Sequence, residues 1–194
     1  MKKMILIMVI ILLPVQGYAL EFDLWRTGET KEKVVAKAKK NKIELNTHKV
    51  SRSDGDVIAN EIHYSDVLFQ EEAQVSLVFT QKTNMLYGII IDWRDIAITA
   101  RGEALYERIA NTLGEKYIQD EEVAGKGMIR NNKEIFKDCT TTITKYKGGI
   151  SSTLFRCNEK RFMSVRYIDS KLEQQNAFEG KKTVRKRDSD SGKF

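Results

Sequence analysis

The chain has 194 residues, a formal net charge of +6 and one proline, Pro14. That length suits one domain or two small ones with a buried core, and the scarcity of proline argues against long extended linkers. The total charge hides a strong segregation along the chain: +6 over residues 31–52, −9 over 53–122, +6 over 123–178 and +3 over 179–194. Such blocks serve as solvated faces or as a surface that orients a charged partner.

Residues 1–19 read as a cleaved signal peptide. Lys2 and Lys3 form the positive start, Met4 to Leu13 the apolar stretch, and Gly17-Tyr18-Ala19 the small-residue site, so cleavage is expected after Ala19. The apolar stretch is too short for a bilayer core that needs roughly 20 residues. The mature chain, Leu20 to Phe194, is therefore expected in the periplasm or outside the cell, without a transmembrane span.

Phe22, Leu24 and Trp25 are candidate anchors at the start of the domain. Thr30 predicts the N-cap of a helix running to about Asn41, with Val34, Val35 and Ala38 on its apolar side and Lys33, Lys37 and Lys40 on a basic outer stripe. After the turn Asp54-Gly55-Asp56, Val57 to Tyr64 reads as a strand, and Val67-Leu68-Phe69 as its extension or a docked loop. The stretch Val75 to Trp93 is the centre of the fold. Val75, Leu77 and Phe79 alternate with Ser76, Val78 and Thr80, and after Gln81 to Asn84 a second strand places Tyr87, Ile89, Ile91 and Trp93 on one face. Asn84 suits the left-handed backbone of the connection.

A second helix is expected from Asp95 or Thr99 to about Gly114, burying Leu105, Ile109 and Leu113. Residues 119–133 lack periodicity and read as loop. Phe136 to Tyr146, Ile150 to Asn158 and Phe162 to Asp169 then read as strands, and Leu172 to Phe178 as a short closing helix. The order helix, three strands, helix, three strands predicts an α+β fold: two main helices on antiparallel sheet, either one long sheet or two units side by side. At an offset of 76 residues Phe79 falls on Phe155, Leu86 on Phe162 and Ile89 on Val165, which raises a tandem duplication with halves 20–95 and 96–178.

Cys139 and Cys157 are the most specific chemical signal. A three-residue loop at Lys147-Gly148-Gly149 would put them directly opposite one another on a hairpin, with Gly149 in the left-handed position. In an oxidising compartment they are expected to form a structural disulfide. His63-Tyr64-Ser65-Asp66 does not make a Ser/His/Asp site, because adjacent strand residues point to opposite faces and no nucleophile elbow surrounds Ser65. Neither a metal-binding spacing nor a phosphate loop is present, so no cofactor, metal or catalytic residue is assigned. Asp92 and Asp95 flank Trp93 and form a low-ranking acidic site, the basis of a second reading as a hydrolase of an envelope polymer. Residues 179–194 form a basic tail in which Lys181, Lys182, Arg185, Lys186 and Arg187 suit attraction to an anionic surface; an exported chain is not expected to meet nucleic acid. The leading expectation is a non-catalytic binding protein of the bacterial envelope, with an envelope protein or anionic surface as partner.

Overall fold

The computed structural model describes residues 19–46, 60–97, 100–131, 134–157 and 160–179. A two-residue hairpin, β1 (Glu21–Phe22) and β2 (Trp25–Arg26), precedes helix α1 (Lys31–Lys40). Strands β3 (Asn60–Leu68), β4 (Glu71–Phe79) and β5 (Leu86–Ala97) follow, then helix α2 (Ala100–Lys116). Strands β6 (Gln119–Asn131), β7 (Glu134–Tyr146), β8 (Ile150–Cys157) and β9 (Lys160–Ile168) lead to a last helix, α3, over residues 170–179. The architecture is α+β. Strands β3 to β9 form one antiparallel sheet in the order β3-β4-β5-β9-β8-β7-β6, so the two meanders meet at the β5–β9 pair.

The alternation read from Val75 to Trp93 decides which face is covered. Ile62, Leu77, Ile89, Tyr167, Ile150 and Tyr146 run in one line across six strands, and all are buried. Val34 and Ala38 of α1 and Leu105, Ile109 and Leu113 of α2 share one core with this line, so both helices lie on the same side. On the other face the corresponding line is His63, Ser76, Ile90, Arg166, Ser151, Lys145 and Glu121. One face is thus built for packing and the other is mostly polar, the usual division in an antiparallel sheet covered on one side.

Several expectations hold in detail. Thr30 caps α1, its hydroxyl accepting from the Lys33 N–H at 3.5 Å, and Asn41 closes the helix. Trp25 is fully buried, and Phe22 and Leu24 pack against the same core. Asn84 is left-handed, with φ 51°. Gly148 and Gly149 take φ of 92° and 85°, and Tyr146 pairs with Ile150 across them. Cys139 and Cys157 are joined, with Cα atoms 4.2 Å apart.

Other details are corrected. Residues 119–133, read as loop, contain β6; Gln119 to Gly125 are exposed, so side-chain alternation is no guide and the backbone ladder with β7 defines the strand. Val35 is exposed, because only the stripe containing Val34 and Ala38 meets the sheet. Lys37 is not a free member of a basic stripe: its ammonium pairs with Glu29 at 2.6 Å and donates to the Leu24 carbonyl at 3.0 Å. Gly114 lies inside α2, which continues to Lys116. Val67 and Leu68 extend β3, and Phe69-Gln70 make a two-residue turn with φ of 55° and 68°. Helix α3 includes Glu179, whose carboxylate accepts from the Lys82 N–H at 2.9 Å, so Glu179 belongs to the fold and not to the tail expected from residue 179. The expected start of the first strand at Val57 lies outside the described residues, as do residues 1–18 of the expected signal peptide and residues 180–194 of the expected basic tail.

Candidate functional site

The chain leaving α1 sets up a cleft that joins several polar side chains. Lys42, left-handed at φ 58°, turns the chain, and the Ile43 N–H donates back to the Ala38 carbonyl at 2.9 Å. Ile43 and Leu45 are half-buried against the core, while Lys42, Glu44 and Asn46 are exposed. Asn46 meets the outer edge of β3 through two backbone hydrogen bonds with His63, of 2.7 and 2.9 Å. Beside this bridge lies a cleft of about 760 Å³, lined by residues 42–46, His63 to Asp66 and Gln74.

His63, which lines the cleft, touches two polar side chains that sequence reasoning missed. Glu61 and His63 share the polar face of β3, and the β3–β4 register puts Ser76 directly opposite His63. The Ser76 hydroxyl lies 2.9 Å from His63 Nδ1, and Glu61 Oε2 lies 3.6 Å from His63 Nε2. Glu61 and Ser76 are buried and His63 is nearly so. A carboxylate, an imidazole and a hydroxyl in this order can hold a proton in place and orient the ring. The same set does not make an acyl-transfer centre. Ser76 sits in mid-strand between β3 and β5, where the surrounding backbone N–H groups are committed to two ladders and none is aimed at an oxyanion. These contacts orient the His63 ring in the wall of the cleft.

On the covered face Tyr64 accepts a hydrogen bond from Trp25 Nε1 at 2.7 Å, and burial pushes its hydroxyl pKa up to about 12. Burial likewise raises Tyr146 and, further, Tyr167. These neutral phenols are parts of the core, and Tyr64 couples the cleft strand to Trp25.

Of the acidic site expected beside Trp93, the structure describes Asp92 and the tryptophan, and the strand's alternation separates these two. Asp92 lies on the polar face, in register with Gln74 and Ser164. Trp93 points the other way, is 1% exposed and donates to the Leu68 carbonyl at 3.4 Å, so it offers no platform for a sugar beside Asp92. The Asp95 side chain and Lys181, Lys182, Arg185, Lys186 and Arg187 lie outside the described residues. The acidic run at 120–122 belongs to β6, where Glu121 pairs with Lys145 at 2.6 Å. Among the described residues no three His, Cys, Asp or Glu side chains gather as metal ligands, and no helix is long and apolar enough to cross a membrane.

The signal for the His63–Ser76 contact was a hairpin register. A two-residue loop at Phe69-Gln70 makes residues 63 and 76 opposite, just as the Lys147-Gly148-Gly149 loop makes the cysteines opposite. Phe-Gln carries none of the glycine or asparagine that marks such a loop. No protein-family model matches the chain, and no curated protein or solved structure matches it.

Proposed function

We propose that the chain is an exported, non-catalytic binding protein of the bacterial envelope that takes its ligand in the cleft between residues 42–46 and β3. The observation that carries this reading is the cleft itself: a strand wall with the Glu61–His63–Ser76 contacts behind it, and Lys42, Glu44 and Asp66 of both signs around it. A mixed-charge, polar cleft at a sheet edge suits a segment of an envelope protein better than a purely anionic polymer. The leader-like residues 1–19 and the disulfide support export to the periplasm or beyond. The tail cations Lys181, Lys182, Arg185, Lys186 and Arg187 add attraction to anionic surfaces.

A tandem duplication belongs to the same reading. Each half has a helix, a segment alongside the first strand of its meander, and then the meander, with residues 42–46 in the place that β6 takes in the second half. At the 76-residue offset Ile89 and Val165 both face the helices, whereas Phe79 is in the main core and Phe155 packs by the disulfide, so the halves have slipped in β4 and β8.

The test combines processing with binding. Periplasmic protein is expected to begin at Leu20 and to have lost two hydrogens by mass. Capture of an envelope component by the mature chain is expected to saturate, to survive removal of residues 181–194, and to fall sharply in Asp66→Lys. Capture unchanged in Asp66→Lys would remove the cleft from the reading, and protein retaining Met1 in the periplasm would remove the cleaved leader.

A further inference from the structure

We propose that β6 is a self-complementary edge through which two copies of this chain pair antiparallel, continuing the sheet from one copy into the other. Strand β6 is the last in the sheet, and among the described residues no strand covers its outer side. A long edge strand presents alternate N–H and C=O groups outward and is a template for another strand.

Three features of β6 select a second copy as the occupant. The register with β7 shifts between Gln119 and Glu121 and again between Gly127 and Ile129, leaving a straight run from Glu121 to Gly127 centred on Ala124. Glu122 and Lys126 lie at equal distances on either side of that centre. Antiparallel pairing of two copies about Ala124 therefore sets Glu122 of each against Lys126 of the other, whereas parallel pairing would oppose like charges. Finally, Val123 is 40% exposed, and the space beside Gly125 is open. In the antiparallel register Val123 of one copy lies over Gly125 of the other, where a strand glycine commonly marks the close approach of a neighbour. The bulges at both ends confine pairing to this short run, so the dimer is weak and concentration-dependent.

Sedimentation equilibrium of the full chain is expected to show a reversible monomer–dimer association. Glu122→Lys and Lys126→Glu are each expected to weaken it roughly tenfold or more, since each change turns two attractive cross-strand pairs repulsive. The double variant E122K/K126E restores the opposite-charge pairing and is expected to recover the dimer. Far-UV circular dichroism checks that each variant is folded. Ala124→Cys supplies an independent readout: mild oxidation is expected to give a covalent dimer, while Lys39→Cys on the exposed side of α1 is not. A monomer at all concentrations, a dimer indifferent to the single changes, or a double variant no better than the singles would each overturn the proposal.

Discussion

The two edges of the sheet begin alike and end differently. Among the described residues, the chain after α1 makes one bridge to β3 at Asn46 with a cleft beside it; after α2 it runs beside β7 for the whole of β6. Side-chain commitments explain the contrast. Ile43 and Leu45 are drawn toward the core, and that pull competes with a straight ladder along β3. Gln119 to Gly125 bury nothing, so no packing demand opposes pairing with β7. The edges are also fastened differently: Trp25 under Tyr64 supports β3, and the disulfide between Cys139 and Cys157 ties β7 to β8.

The largest effect should come from removing the support on the first edge. Trp25→Ala deletes a fully buried ring and its hydrogen bond to Tyr64, and should cost about 3–5 kcal/mol in denaturant unfolding. Hydrogen exchange should loosen β3 before β7; uniform loosening would mean that the edges are not separately supported. On the other edge, replacing Cys139 and Cys157 by serine should cost about 3 kcal/mol in the chain-entropy account, and exchange should then loosen β7 first. Gly149→Ala tests the turn that sets this register. Its φ of 85° is left-handed and an added Cβ would overlap the Ile168 carbonyl oxygen, so a loss of roughly 2 kcal/mol is expected; a neutral result would contradict the turn geometry.

Alkaline pH tests the Trp25–Tyr64 support more gently. Tyr64 ionises at about 12 when folded, against an ordinary value of 10.0, so the unfolded chain loses the phenolic proton first. Stability contributed by the neutral phenol is complete below pH 10 and should fall as pH rises toward 12. Tyr64→Phe should cost about 1 kcal/mol near neutrality through the lost hydrogen bond, yet lessen the alkaline decline. A decline as steep in Tyr64→Phe as in the parent would assign it elsewhere. The smallest change expected is a gain: Gln70→Gly relieves a left-handed residue in the β3–β4 turn and should raise stability by up to about 1 kcal/mol, read as a higher midpoint of urea unfolding.

Legibility in the sequence followed the source of each signal. The cysteine pair could be placed because Gly148 and Gly149 mark their turn and fix the register on both arms. The His63–Ser76 contact could not, because Phe69 and Gln70 adopt a turn their side chains disfavour and the ring of Phe69 lies 6.4 Å from that of Trp93, a contact made only in the folded chain. Trp93 and Asp92 are neighbours in sequence, although the alternation of the same strand sends them to opposite faces. Strand β6 was missed because its regularity lies in backbone bonds to β7.

Local sequence by itself determined the helix cap at Thr30, the buried stripes of Val34 with Ala38 and Leu105 with Ile109 and Leu113, the alternation of the central strands, and the disulfide hairpin. Each depends on residues close along the chain or on a turn that sets a register. Only the tertiary structure decided that the strands form a single sheet, that β5 meets β9, and that Glu61, His63 and Ser76 gather by a cleft. Those outcomes depend on which edges meet and which side chains compete for one core, a balance of non-local burial and pairing that no short stretch of sequence contains.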